Sequence, residues 1–78
     1  MNFKELDTVV LERNLPEHGL QVGDLGAVVL LHEPDGLEVE FVTASGRTQA
    51  LVTLVESDVR AVRDEDLIAV RTIGRGAA

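Results

Sequence analysis

Residues 34–41, Pro-Asp-Gly-Leu-Glu-Val-Glu-Phe, indicate the fold of this chain most clearly. The first three residues predict a tight turn, because proline presets its own φ and glycine accepts the positive φ that closes a hairpin. After the turn, Leu37, Val39 and Phe41 alternate with two glutamates. Alternation with a period of two is typical of a strand with one buried and one solvated face. The stretch therefore predicts a hairpin that delivers three side chains to a core.

Short apolar runs bounded by turn residues continue this pattern along the chain. They cover residues 8–11, 27–31, 37–41, 48–55 and 59–62. Between them we predict turns at 23–26 and 44–46 and a short turn or single 3₁₀ turn at 56–58. Residues 14–21 form an irregular loop, because Pro16 and Gly19 interrupt regular structure. Strands at this spacing predict an all-β fold, a small SH3-like (KOW-like) barrel of about five strands over residues 1–62.

Two of the predicted strands, 27–31 and 51–55, are apolar on both faces, and two interpretations remain open. In the first, a bent strand contributes side chains to both halves of the barrel. In the second, the outward side chains form an exposed apolar stripe that docks a partner or a second copy.

Residues 63–78 form a C-terminal extension of different character. Residues 63–66 read Arg-Asp-Glu-Asp and predict a charged spacer. The β-branched segment 67–73 is a candidate sixth strand, which would pair with its own barrel or with a second copy in a homo-oligomer. We expect residues 74–78 to be frayed.

The composition is acidic and poor in aromatic residues. Fourteen acidic residues face seven basic ones, and the only aromatic residues are two phenylalanines. Polyanions would be repelled, and neither an aromatic peptide-binding groove nor a base-stacking platform can be assembled. We therefore expect a protein partner with a basic surface, and we expect neither nucleic acid nor a membrane.

The chain has no cysteine, so disulfides and cysteine-based zinc sites are excluded. The N-terminal residues lack the pattern of a signal peptide, and no apolar run approaches the roughly 18 residues that span a bilayer. These features predict a cytoplasmic location. No catalytic triad, phosphate loop or metal-ligand spacing is present, since His18 and His32 lie in different segments without a third clear ligand. We expect no cofactor, no metal and no enzyme activity.

Five polar residues are candidates for binding a partner: Glu17, His18, Glu38, Glu40 and Arg47. The two glutamates of the strand should lie on its solvated face. For Arg47 we weigh two roles, and favour a local pair with one of those glutamates over anchoring a carboxylate of the partner. Together these features favour a small acidic protein-interaction module.

The whole pattern also resembles a known family. The motifs are DTVVL at 7–11, LPEHGL at 15–20, GDLGAVV at 23–29, EVEF at 38–41 and GRT at 46–48. They resemble a family of short bacterial proteins that is described only as a domain of unknown function and has a predicted SH3-like barrel. The resemblance covers roughly residues 3 to 62 and carries no catalytic residues over.

Members of that family are often encoded as stand-alone small proteins, sometimes beside another uncharacterised gene. The resemblance therefore implies a module that binds and neutralises or supports the product of a neighbouring gene, in the manner of an antitoxin or immunity protein. The segment 23–29 also resembles the glycine-then-valine core of KOW-type barrels. That resemblance implies the alternative function, an accessory domain associated with nucleic-acid machinery.

Overall fold

A computed structural model describes residues 1–73, and over this range the chain forms one five-stranded antiparallel sheet and no α-helix. The strands are β1 (Thr8–Leu11), β2 (Leu25–His32), β3 (Gly36–Val42), β4 (Thr48–Val55) and β5 (Val59–Ala61). Their order in the sheet is β4-β3-β2-β1-β5. This arrangement confirms the predicted all-β, SH3-like barrel.

β2 joins the two halves of the barrel. Its first residues, 25–27, pair with β1, whereas residues 27–32 pair with β3. The register shifts between Val28 and Leu30, and such a bulge bends a strand and increases its twist. The interpretation of 27–31 as a bent strand is therefore confirmed.

The core consists of the inward side chains of every strand together with two leucines of the first loop. Val28, Val39 and Leu37 are fully buried, and Phe41 is 2% exposed. Gly26 lies directly under this cluster, where an added Cβ would be 2.6 Å from Val39 Cγ1 and 2.8 Å from the Phe41 ring. The close approach of β2 to β3 therefore requires glycine at this position.

The two hairpins are closed in different ways. In the β3–β4 turn, Gly46 has a φ of 88°, and the Thr43 N–H donates to the Arg47 carbonyl at 2.9 Å. In the β2–β3 turn, Gly36 does not have a positive φ. The prediction of a positive φ at Gly36 was wrong, because Gly36 is the first residue of β3. An added Cβ at Gly36 would lie 3.0 Å from the Cβ of His32.

The loop between β1 and β2 is tied at its base. Leu15 and Leu20 are buried and exchange two backbone hydrogen bonds of 3.0 and 3.1 Å. Between them, Pro16–His18 form a single 3₁₀ turn that ends at Gly19, which has a φ of 69°. A second 3₁₀ turn, Glu56–Asp58, connects β4 to β5 as predicted.

The segment 67–73 forms no strand in the described chain, so it does not pair with its own barrel. Its pairing with a second copy stays a prediction. Its side chains Leu67, Ile68 and Val70 are 93%, 69% and 98% exposed. They gain no burial that would offset the entropy of ordering a strand. Ion pairs fix the extension instead: Arg60 binds Asp66, and Arg71 binds Asp24. The end predicted to be frayed, 74–78, lies outside the described residues.

Candidate functional site

A polar network covers the outward surface of β2, β3 and β4, and Glu38 lies at its centre. Thr53 on β4 donates its hydroxyl to Glu38 Oε2 at 2.7 Å, and His32 Nε2 lies 2.9 Å from the same oxygen. These hydrogen bonds, the one from Thr53 foremost, lower the pKa of the Glu38 carboxyl. The carboxylate therefore remains ionised at neutral pH.

Glu40 repeats this arrangement two residues further along β3. Thr48 on β4 donates its hydroxyl to Glu40 Oε2 at 2.6 Å. Period-two geometry places both glutamates on one face of the sheet, as predicted from the alternation. We call Glu38 and Glu40, with their donors His32, Thr48 and Thr53, the acidic ladder.

Exposed apolar side chains surround the acidic ladder. Leu30 pairs with Glu38, and Leu51 pairs with Glu40 across the β3–β4 ladder. The exposed fractions are 46% for Leu30, 58% for Leu51 and 40% for Val55. The exposed apolar stripe considered from the sequence is therefore present as well. We call the acidic ladder together with these three apolar residues the outer face.

Arg47 does not form the local ion pair that we favoured. Its backbone pairs with Thr43 at the hairpin turn, beyond the rows of the ladder that contain the glutamates. Glu38 is bonded by His32 and Thr53 instead, and Glu40 by Thr48. Within residues 1–73 the exposed Arg47 side chain takes part in no salt bridge. The favoured role was therefore wrong, because Thr43 lies opposite Arg47, whereas Glu38 and Glu40 lie opposite Thr53 and Leu51.

Glu17 and His18 lie in the 3₁₀ turn of the first loop, apart from the acidic ladder. The His18 carbonyl accepts a hydrogen bond of 3.0 Å from the Gln49 side chain, which ties the loop to β4. No hydrogen bond joins either residue to Glu38 or Glu40 in the described part of the chain. Sequence analysis missed Thr48 and Thr53 as partners of the glutamates. A strict period of two places these threonines on opposite faces of β4, and the register shift between Phe41 and Val42 brings both beside the glutamates.

A groove of about 380 Å³ lies between the C-terminal extension and the barrel. Leu20, Phe41 and Ile73 contribute to its apolar lining, and the ion pair of Asp24 and Arg71 lies at its wall. Burial raises the pKa of Asp24, but hydrogen bonds from Arg71 and from the Gln21 N–H outweigh burial, so the net pKa is lowered. The charges of Asp24 and Arg71 are therefore paired with each other at the wall of the groove.

Four of the basic side chains form ion pairs with carboxylates in residues 1–73. The pairs are Lys4–Asp7, Arg13–Asp58, Arg60–Asp66 and Arg71–Asp24. Several acidic residues have no salt-bridge partner within residues 1–73: Glu5, Glu17, Glu33, Asp35, Glu40, Glu56, Asp64 and Glu65. The exposed charge is therefore predominantly negative.

Phe41 belongs to the core and is 2% exposed, and Phe3 is partly buried against the core. Over residues 1–73, no three histidine or carboxylate side chains are grouped as metal ligands would be. The same part of the chain contains no helix with the length and hydropathy needed to cross a membrane.

The strand order, the bent β2 and the single small core define a small SH3-like β-barrel. Comparison with protein families matches residues 5–61 to the family described as Domain of unknown function (DUF4926), and the chain belongs to that family. The match ends at the last residue of β5 and so covers the barrel. No curated protein and no solved structure matches the chain. The resemblance to a family of unknown function is confirmed.

Proposed function

We propose that this protein is a non-enzymatic interaction module whose outer face binds a basic surface of another protein. The observation that carries the proposal is the acidic ladder, in which fixed donors orient Glu38 and Glu40 among exposed apolar side chains. Orientation matters because a carboxylate that is already held in place loses less conformational entropy on binding.

Charge and apolar surface have separate roles in this proposal. The formal charge of -7 attracts a basic partner and speeds encounter, with screening over about 8 Å at physiological salt. Leu30, Leu51 and Val55 then contribute affinity as they leave water. A partner surface that matches the outer face has lysines or arginines beside small apolar patches.

The partner that we favour is the product of a neighbouring gene, which this protein would neutralise or support. The stand-alone character of the resembling family supports this choice. The absence of cysteine supports a cytoplasmic site of action, since disulfide-dense small domains are typical of oxidising compartments. The proposal requires no cofactor.

The test uses two variants with the same formal charge. Glu38→Gln/Glu40→Gln removes both charges of the acidic ladder, and Glu5→Gln/Asp64→Asn removes two acidic residues that have no salt-bridge partner in the described chain. The wild type is used to capture a partner from extract of the source cells at low salt. The partner is identified by mass spectrometry and purified, and its Kd is measured for all three proteins.

We expect the first variant to bind about tenfold more weakly than the wild type, which is ~1.4 kcal/mol. The control variant should lose far less, because its charges lie off the outer face. An equal loss for both variants would show that net charge alone matters and would contradict a site at the acidic ladder. Failure to capture a specific partner at low salt would contradict the function itself.

A further inference from the structure

β4 is an edge strand that lacks the usual protection of sheet edges. It spans eight residues, Thr-Gln-Ala-Leu-Val-Thr-Leu-Val, without a charge or a proline. Natural sheets protect their edges with charged residues, prolines or very short strands. The opposite edge follows this rule: β5 has three residues, and its Arg60 is held by Asp66 in two hydrogen bonds. The two edges of this sheet therefore differ in kind.

The backbone of β4 presents unpaired hydrogen-bonding groups at this edge. The Glu56 N–H donates to the Asp35 carbonyl at 3.0 Å, which makes 35 and 56 a hydrogen-bonded pair. Because such pairs alternate along an antiparallel ladder, Leu51 and Thr53 occupy non-hydrogen-bonded positions opposite Glu40 and Glu38. Their N–H and C=O groups therefore point away from β3.

Nothing in residues 1–73 pairs with the edge groups of Leu51 and Thr53. Val55 occupies the next non-hydrogen-bonded position of β4. Its N–H donates to Asp58 Oδ2 at 3.0 Å, so this edge group already has a partner within the chain. The open edge is thus a short segment centred on two residues, directly beside the acidic ladder. Unpaired main-chain groups at an exposed sheet edge are what an added strand binds.

We propose that β4 accepts an extended segment of the basic partner as an additional strand, paired through the backbones of Leu51 and Thr53. This inference rests on the proposed function and specifies the kind of partner. An added strand lies about 4.8 Å from β4 and about twice that from β3. Lysine or arginine side chains on its outward positions then reach toward Glu38 and Glu40.

The inward positions of the added strand favour apolar side chains. Val52, which is half-buried and packs against the core, lies at the edge of the inward surface of β4. A small apolar side chain of the partner would cover it. The recognised segment therefore alternates basic and apolar residues. A second copy of this chain fits less well, because each copy carries a formal charge of -7.

The experiment uses two fluorescent, end-capped octapeptides as probes. One alternates lysine with valine, and the other alternates lysine with glycine, so that their charges are equal and only the first favours an extended strand. We expect the lysine–valine peptide to bind about tenfold more tightly by fluorescence anisotropy, which is ~1.4 kcal/mol. In the complex, the amides of Leu51 and Thr53 should change from fast to slow hydrogen exchange.

Two substitutions of Leu51 distinguish the contribution of its backbone N–H to peptide binding from the contribution of its side chain. Leu51→Pro removes the backbone N–H that points to the open edge, and an edge strand tolerates proline at such a position. Leu51→Ala shortens the side chain but retains this N–H. We expect the proline variant to bind both peptides equally and the alanine variant to keep the preference. Circular dichroism verifies folding of each variant. If the proline variant is unfolded, hydrogen exchange at the amides of Leu51 and Thr53 in the wild type tests strand addition in its place.

The outcomes distinguish this inference from the proposed function. Equal binding of both peptides by the wild type, with fast exchange at Leu51 and Thr53, refutes strand addition but leaves charge-driven binding intact. Absence of binding by either peptide at low salt contradicts both. Protection of the two amides that rises with protein concentration alone assigns the edge to a second copy and overturns the choice of occupant.

Discussion

Substitution of Gly26 by alanine tests the packing that brings β2 onto β3. The new Cβ would lie 2.6 Å from Val39 Cγ1 and 2.8 Å from the Phe41 ring, closer than real Cβ contacts. Both neighbours are buried, so they have little room to move. Overpacking of this kind costs about 1–3 kcal/mol. For a domain of this size, each kcal/mol corresponds to a Tm decrease of roughly 4–8 °C.

The assay is thermal and urea unfolding of four proteins in a double-mutant cycle. Val39→Ala alone removes buried methyl groups and leaves a cavity, which also destabilises the fold. In the double variant, the alanine at 26 moves into the space that Val39 leaves. The double variant should therefore lose less free energy of unfolding than the two single variants together. Strict additivity, or a Gly26→Ala variant as stable as the wild type, would refute this description of the core.

Three further predictions concern the surface charges. Hydrogen bonds from Arg60 and from the Arg63 N–H lower the pKa of Asp66 to about 2, from an ordinary 3.8, so its stabilising contribution is complete above pH 3.8 and disappears as the pH falls through 2. An NMR titration should place the Asp66 midpoint near 2, and a midpoint near 3.8 would contradict the ion pair. Thr53→Val should raise the pKa of Glu38 in the same experiment, because it removes the first donor to that carboxyl, and an unchanged midpoint would remove Thr53 from the acidic ladder. Neither RNA nor double-stranded DNA should bind at physiological salt, and saturable binding of either would favour the KOW-like alternative.

The strands were predictable because their signals are local. Alternation at 37–41 predicted β3 and the outward position of Glu38 and Glu40, and the turn residues at 44–46 predicted the second hairpin. The boundaries of β4 and of the second 3₁₀ turn were also predicted correctly. In these segments, side-chain period and turn chemistry favour the same structure, which is the condition under which sequence reasoning succeeds.

The predictions that failed depend on register and on long-range contacts. The partners of Arg47 are set by the β3–β4 register, which shifts at Phe41 and Val42 and which the sequence does not specify. The extension at 67–73 has the composition of a strand, but Arg71 binds Asp24 some 47 residues away and holds the segment outside the sheet. Strand propensity depends on the residues of the segment itself, whereas the ion pair of Arg71 with Asp24 forms only once the fold brings the two residues together.

The most direct test of the central claim is an amide chemical-shift map of the protein with its purified partner. We expect the largest changes at Leu30, Glu38, Glu40, Leu51 and Thr53, since these residues make up the outer face and its open edge. Changes concentrated instead around Asp24 and Arg71, at the groove beneath the C-terminal extension, would contradict the claim that the acidic ladder is the binding site.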